Sequence, residues 1–141
     1  MPESKRKEPR FEYTRGGLLV RYEYSTKLGE NDEEINTYEE VLVSKKPTYG
    51  EVINAIIRNR YTVAAELSLI NNMLKSDTST EENIEYEDFQ DYRDISKIIS
   101  RAIVNGLDDL SWDELRSYAV NLDLSGSGTR AEIEARIEEL D

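Results

Sequence analysis

Alternating apolar and polar positions in the first third of the chain predict two β-strands. Between Phe11 and Ser25 the side chains alternate with a period of two, and a second β-branched run lies within residues 35–44. The apolar side of the first run carries Leu18, Val20, Tyr22 and Tyr24. A polar, acidic segment with one glycine separates the runs. We therefore predict strands at about 17–25 and 35–44, paired as an antiparallel β-hairpin that needs other elements to cover it.

Helical spacing then replaces the alternation in three successive stretches. We predict helices at about 49–60, 63–75 and 81–105, the last ending before Gly106. Thr48, Thr62 and Ser79 precede them as capping residues; Thr48 and Ser79 stand three positions before a glutamate, the spacing of a capping box. The apolar positions are Val52, Ile53, Ile56 and Ile57; Val63, Leu67, Ile70 and Leu74; and Phe89, Tyr92, Ile95, Ile99, Ala102 and Ile103.

Two shorter amphipathic helices are predicted within residues 107–141. Ser111 stands three positions before Glu114, and Thr129 stands three positions before Glu132, so both helices begin with the spacing of a capping box. The apolar faces carry Trp112, Leu115, Ala119 and Leu122 in the first helix and Ile133, Ile137 and Leu140 in the second. A glycine-containing loop joins them.

These elements predict an α+β fold with three parts. Residues 1–10 are polar and basic and predict a disordered tail. Residues 11–105 form a body in which the β-hairpin packs on three helices. Residues 107–141 form a small all-α segment of helix, extended loop and helix.

The C-terminal segment resembles a SAP motif, a helix–extended loop–helix module that is similar to the LEM fold. The matching positions are Leu122, Leu124, Ser125, Gly128, Arg130, Glu132, Ile133, Arg136 and Ile137. The resemblance covers the last quarter of the chain. It implies binding to DNA or RNA, or to a protein partner as in the LEM-like branches, and it does not imply catalysis. The runs at 47–49, 57–61 and 89–93 also resemble small uncharacterised proteins of phages and mobile elements.

Composition narrows the classes of function. The chain has neither cysteine nor histidine, which excludes thiol nucleophiles, imidazole bases and ordinary zinc sites. We predict that it is not an enzyme and that it holds no cofactor or metal. No apolar run is long enough to span a bilayer, and the N-terminus lacks an apolar signal core, so we expect a soluble cytoplasmic protein with no membrane partner.

The best candidate contact site lies at the start of the last helix. A helix N-terminus attracts anions such as phosphate. The site would consist of Ser127, Gly128, Thr129, Arg130 and Arg136, with Arg116 from the preceding helix. In the SAP resemblance, Arg130 and Arg136 occupy the family's basic positions. The alternative is that Thr129 and Glu132 already satisfy the free amides and that the arginines pair with neighbouring glutamates.

A secondary candidate lies near the N-terminus. Residues 1–29 carry seven basic and four acidic residues, net +3, in a chain whose net charge is −12. Cations beside aromatic rings could bind single-stranded nucleic acid. The residues concerned are Arg10, Arg15, Arg21, Tyr22 and Tyr24. The alternative is that the rings belong to the core and form cross-strand pairs.

Charge decides between the two kinds of partner. Residues 107–141 hold ten acidic and three basic residues, net −7. Because duplex affinity depends on neutralising several phosphates, three arginines among ten carboxylates favour a protein partner. We therefore predict a non-enzymatic adaptor whose exposed contacts lie near Tyr118 or Leu124. The alternative is weak, direct binding of DNA or RNA through the same segment and the basic N-terminal stretch.

Overall fold

The computed structural model describes residues 2–4 and 6–141, and these form a mixed fold of antiparallel sheet and helices. The strands are β1 (Glu3–Ser4), β2 (Phe11–Thr14), β3 (Gly17–Leu28) and β4 (Glu34–Val43). The helices are α1 (Tyr49–Arg60), α2 (Val63–Met73), α3 (Thr80–Asn105), α4 (Trp112–Asn121) and α5 (Arg130–Glu138), with a 3₁₀ turn at Leu107–Asp109.

Among the described residues the sheet has four strands in the order β1-β4-β3-β2, where the alternation predicted two. The predicted hairpin is the β3–β4 pair, in which Leu18 lies opposite Val43 and Val20 opposite Val41. The period-two run from Phe11 is divided by a two-residue turn at Arg15-Gly16, so its first part folds back on β3 as a separate strand. Alternation alone does not reveal a reversal of direction, because both strands keep the same period.

A bulge in β3 changes which face the later side chains occupy. Glu23 has a positive φ of 51°, and the register shifts between Tyr22 and Ser25. One extra residue reverses the alternation, so Tyr24 does not continue the Tyr22 face as the sequence predicted. Both tyrosines are buried, but Tyr24 packs beside Tyr38, with ring centroids 5.8 Å apart.

The predicted disordered tail at 1–10 is corrected by the structure. Glu3 and Ser4 pair with β4, and Arg10 is buried. The carbonyl oxygens of Glu8 and Pro9 accept hydrogen bonds from Tyr24 Oη at 2.8 Å and from an Arg21 guanidinium nitrogen at 3.1 Å. Side chains of β3 thus hold a segment that has too few apolar residues to pack by itself; Met1 and Lys5 lie outside the described residues.

The helices begin and end close to the predicted positions because their capping residues act as expected. Ser79 and Ser111 form complete capping boxes with Glu82 and Glu114. At α1, Thr48 accepts the Glu51 amide, but the Glu51 carboxylate turns to the Ser44 amide and hydroxyl. Gly106 caps α3 with a φ of 92°.

The core joins the C-terminal helices to the rest of the chain. The central helix α3 packs against α1, α2 and α4, and one hydrophobic cluster includes Tyr22, Ile56, Ile99, Leu115 and Ile133. This cluster contains residues on either side of the predicted boundary at Gly106. Contacts with residues 107–141 are therefore part of what stabilises the sheet.

Helix α2 is the exception to this packing. None of its residues is buried, and the apolar positions Val63, Leu67, Ile70 and Leu74 face solvent. The sequence pattern marked these residues as an apolar face, but the described chain provides no element to cover them.

Within the described part of the chain, no helix has the length and apolar character needed to cross a membrane.

Candidate functional site

The surface formed by α4, α5 and the loop between them contains the primary candidates. Ser111 Oγ accepts the Glu114 amide at 3.2 Å, and the Glu114 carboxylate accepts the Ser111 amide at 3.0 Å, which lowers the pKa of Glu114. Thr129 Oγ1 accepts the Glu132 amide at 3.3 Å, while the Glu132 carboxylate accepts the Thr129 hydroxyl and not its amide. The second predicted capping box is therefore incomplete.

Two of the candidate arginines hold the loop in place. Arg116 Nε donates to the carbonyl oxygen of Gly126 at 3.1 Å. Arg136 donates from one nitrogen to the carbonyl oxygens of Ser125, at 3.0 Å, and Ser127. Both side chains therefore bind the backbone of the same short segment, and a phosphate could use them only by competing with these carbonyls.

The third candidate, Arg130, connects α5 to the 3₁₀ turn. One of its terminal nitrogens donates to the carbonyl oxygens of Leu107 at 3.0 Å and Leu110 at 2.8 Å, and its Nε donates to Glu134 at 2.9 Å. This guanidinium is partly buried and bridges two elements. It cannot bracket a nucleic-acid backbone, as the SAP resemblance implied, without releasing the turn.

Gly128 has a backbone conformation at this site that favours glycine. Its φ is 106°, and a Cβ atom there would lie 3.0 Å from a Glu132 carboxylate oxygen and 3.2 Å from an Arg136 nitrogen. Ser127 contributes its carbonyl oxygen to Arg136, and its hydroxyl lies 2.8 Å from that of Ser125. The structure thus brings the primary candidates together, but their contacts shape the loop from within.

The secondary candidates do not form a common surface. Arg10 is buried and binds both carboxylate oxygens of Asp141, at 2.8 and 2.9 Å. Burial disfavours its charge, but the contacts with Asp141 and Tyr118 outweigh this effect and raise the pKa of Arg10. Arg21 binds Glu12 at 2.9 Å and Glu40 at 3.1 Å.

The two tyrosines of this group also belong to the interior. Tyr22 Oη lies 3.1 Å from Tyr92 Oη and accepts a hydrogen bond from Asn59 at 2.8 Å. Burial raises the pKa of Tyr22 and Tyr24. Only Arg15, on the β2–β3 turn, is exposed among the five secondary candidates.

Tyr118, expected to mark an exposed contact, is fully buried, and its hydroxyl accepts a 3.4 Å hydrogen bond from Arg10. Burial raises its pKa. Leu124 is partly buried against the core. The prediction of an exposed aromatic contact at Tyr118 was therefore wrong, because α4 turns this ring toward the N-terminal segment.

An open groove of about 720 Å³ lies instead on the outer side of α4. Its lining consists of Asp113, Arg116, Ser117, Val120, Ser125, Gly126 and Ser127. Val120 is 64% exposed at its wall. The sequence contained a signal for this groove, since Val120 is an apolar residue on the polar face of its helix.

Among the described residues, no group of three or more carboxylates is arranged to hold a metal ion. Comparisons of the chain with protein-family models, curated proteins and solved structures gave no match.

Proposed function

We propose that this protein is a non-enzymatic adaptor whose SAP-like C-terminal segment binds a segment of a protein partner in the groove along α4. The observation that supports this most strongly is the position of the three arginines. Arg116, Arg130 and Arg136 all donate to backbone carbonyls of their own chain. A surface whose cations are already engaged, in a segment of net charge −7, is poorly suited to phosphate.

The groove also offers the features of a peptide-binding surface. Val120 provides an apolar wall, and the Ser117 and Ser125 side chains provide hydrogen-bonding groups beside it. The Asp113 carboxylate is exposed and makes no hydrogen bond or ion pair with another described residue, so it can pair with a basic side chain. We therefore propose an extended partner segment with an apolar side chain over Val120 and a cation near Asp113.

The experiment is a crosslinked pull-down from cells of the source organism with three forms of the full-length chain. Val120→Glu places a charge in the groove without opening a cavity, because the side chain is mostly exposed. Leu42→Glu makes the same change at an exposed apolar residue of the sheet and is the matched control. We expect a partner that the wild type and Leu42→Glu recover and that Val120→Glu loses. Equal recovery of every partner by Val120→Glu would overturn the proposal.

A titration with labelled DNA and RNA tests the competing function. Non-specific binders of nucleic acid bind at roughly 10⁻⁴–10⁻⁶ M at physiological salt and more tightly at low salt. We expect weaker binding than this under both conditions. Arg15 is exposed, and its substitution leaves the contacts of the loop intact. Micromolar binding of nucleic acid that becomes weaker in Arg15→Gln would favour the nucleic-acid function instead.

A further inference from the structure

A groove with a volume of about 360 Å³ lies between α2 and α3, on a different part of the protein from the groove along α4. Its α2 side includes the apolar Ala65 and Leu69, next to Tyr61, which precedes the helix. Its α3 side carries two carboxylates, those of Glu85 and Asp88, at positions three residues apart. A volume above about 300 Å³ is sufficient for a small ligand or for side chains of a partner. The groove therefore combines an apolar surface with a pair of acidic groups.

The groove continues past Arg60 into two further cavities, of about 320 and 270 Å³. The first of these shares Arg60 and Asp88 with the groove, and the second shares Arg60 and Glu23 with the first. We call the three adjoining cavities the trough. Between Glu85 and Ile95, the α3 residues at its two ends, the helix advances by about 15 Å, which is the length of about five residues of extended chain. The trough thus has room for a short peptide segment.

Acidic side chains dominate the lining of the trough. Of the described residues that line it, one carries a positive charge, Arg60, and five carry carboxylates: Glu23, Glu39, Glu85, Asp88 and Asp91. The carboxylates of Glu85, Asp88 and Asp91 are exposed and make no hydrogen bond or ion pair with any residue that the structure describes. A bound cation would therefore meet unpaired carboxylates along the α3 side of the trough.

Arg60 neutralises only part of this charge. Its guanidinium lies 3.7 Å from the Glu23 carboxylate and 4.9 Å from the centroid of the Tyr92 ring. Burial nevertheless raises the pKa of Glu23, and the neighbouring Glu39 acts in the same direction. Since a nearby positive charge favours the ionised form of a carboxylate, a second cation bound here would stabilise the charge of Glu23. The trough therefore lacks positive charge at Glu23 as well as along α3.

The negative charge of the trough disfavours several occupants and favours one. A nucleic acid or an anionic membrane would be repelled, and a second copy of the chain would bring a further net charge of −12. A basic side chain fits, because its apolar stem can lie on Leu69 while its charged head reaches Glu85 and Asp88, which share a face of α3. Arginine fits best, because its planar guanidinium binds carboxylates through two parallel hydrogen bonds.

We propose that the trough binds an extended segment of a protein partner that carries two arginines in the pattern Arg-x-Arg. One guanidinium binds between Glu85 and Asp88, and the second binds beside Asp91 and Glu23. The centre of the first pair and Asp91 are about 7 Å apart along α3, which equals the advance of two residues of extended chain, whose side chains point to the same side. The described residues that line the trough all differ from those that line the groove on α4, so this proposal does not depend on the proposed function.

The first test uses a fluorescently labelled peptide of about seven residues that contains Arg-x-Arg among serines. In the control peptide citrulline replaces both arginines, which keeps their shape and removes their charge. We expect saturable one-to-one binding of the arginine peptide by fluorescence anisotropy at about 0.15 M salt, and at least about tenfold weaker binding of the citrulline peptide. Equal affinity of the two peptides, or no binding of either, would overturn the proposal. Free arginine amide that competes as well as the unlabelled peptide would show that the trough takes a small cation, and this result would also overturn it.

Variants of the full chain locate the binding site. Glu85→Gln with Asp88→Asn removes two charges from the trough and keeps the size of the side chains, so circular dichroism should be unchanged. Glu87→Gln with Asp94→Asn removes the same charge from exposed positions of α3 outside the trough and is the matched control. We expect at least about tenfold weaker peptide binding and a smaller dependence on salt for the first variant, and little change for the control. An equal loss in both variants would indicate only general electrostatic attraction, and the proposal would be wrong.

The oligomeric state tests whether a second copy of the chain occupies the trough. Sedimentation of the wild type should show a monomer at the concentrations used for peptide binding, because the net charge of −12 on each chain opposes association. A dimer that Glu85→Gln with Asp88→Asn dissociates would show that a second copy fills the trough, and the proposed partner would be refuted.

Discussion

At Gly17 the backbone of β3 passes so close to β4 that a side chain has no room. A Cβ atom there would lie 2.1 Å from the carbonyl oxygen of Val43, and the φ of 143° is one that other residues rarely adopt. Gly50, in the first turn of α1, has no atom within 4 Å of the same position and an ordinary helical conformation. The two glycines thus have opposite structural requirements.

Alanine substitutions at these two positions should change stability in opposite directions. Gly50→Ala should raise the free energy of unfolding by about 0.4–1 kcal/mol, because alanine restricts the unfolded chain and favours the helix. Gly17→Ala should lower it by more than this, because the new methyl group displaces β4 or strains the turn. Urea unfolding of both variants measures the difference; a neutral Gly17→Ala would contradict the close approach of the strands.

Single residues also show why the ordered structure of the N-terminal segment was not predicted from the sequence. Arg10 looks like part of a solvated basic run in the sequence, yet it pairs with Asp141, 131 positions away. The sequence pattern around Arg10 does not indicate a partner at that distance. Likewise, at the bulge the amide of Glu23 donates to the side-chain oxygen of Asn121 on α4 at 2.8 Å, a contact that exists only after the chain has folded.

At the scale of elements, the helices were the most predictable part of the fold. Their ends depend on local chemistry, such as the Ser79 and Ser111 capping boxes and the positive φ at Gly106. The strand β2 was missed because its alternation continues that of β3 through the turn at Arg15-Gly16. For the candidate site, the sequence predicted where the loop between α4 and α5 lies, but the arginines could not be recognised as internal ligands because their acceptors are backbone carbonyls.

The role of Arg130 as a bridge between α5 and the 3₁₀ turn leads to a stability prediction. Arg130→Ala removes the donors to Leu107 and Leu110 and leaves two carbonyl oxygens without this partner. Since hydrogen bonds from charged groups contribute about 1.5–3 kcal/mol, the free energy of unfolding should fall by about that amount. Arg15→Ala, at an exposed turn, should change it by less than about 0.5 kcal/mol. If urea unfolding gave equal free energies for Arg130→Ala and Arg15→Ala, the structural role of Arg130 would be contradicted.

At the scale of the whole molecule, contacts between distant segments hold the C-terminal helices against the sheet. Thr26 donates to the Asp123 carboxylate at 2.9 Å, and Lys7 donates to the Asp123 carbonyl oxygen at 3.0 Å. Together with the Arg10–Asp141 pair, these contacts cross the boundary that the sequence suggested at Gly106. We therefore expect one cooperative unfolding transition, and point variants are better probes of function than truncations.

Buried tyrosines make this cooperative unit sensitive to alkaline pH. Burial raises the pKa of Tyr22, Tyr24, Tyr38, Tyr92 and Tyr118 above the ordinary value of about 10. Because the folded state favours the neutral phenol, this contribution to stability is fully present below about pH 10 and is lost as the pH rises toward the folded-state pKa values.

The corresponding measurement is an alkaline titration that follows tyrosinate absorbance and circular dichroism together. We expect part of the nine tyrosines to ionise while the fold persists, and the buried group to ionise abruptly as the circular dichroism signal is lost. If all nine ionised smoothly with the fold intact, the burial of these rings would be contradicted.

The exposure of α2 has a consequence for the timescale on which different parts of the protein open. A helix without buried residues can unwind locally at a small cost in free energy, while the core helices open only when the whole molecule unfolds. Amide hydrogens of α2 should therefore exchange with solvent much faster than those of α3 near Ile99, and low concentrations of urea should barely change their rate. A protease should cleave first between residues 63 and 79. Any partner that covers this helix would slow its exchange selectively, so the least stable helix would be the most sensitive reporter of binding.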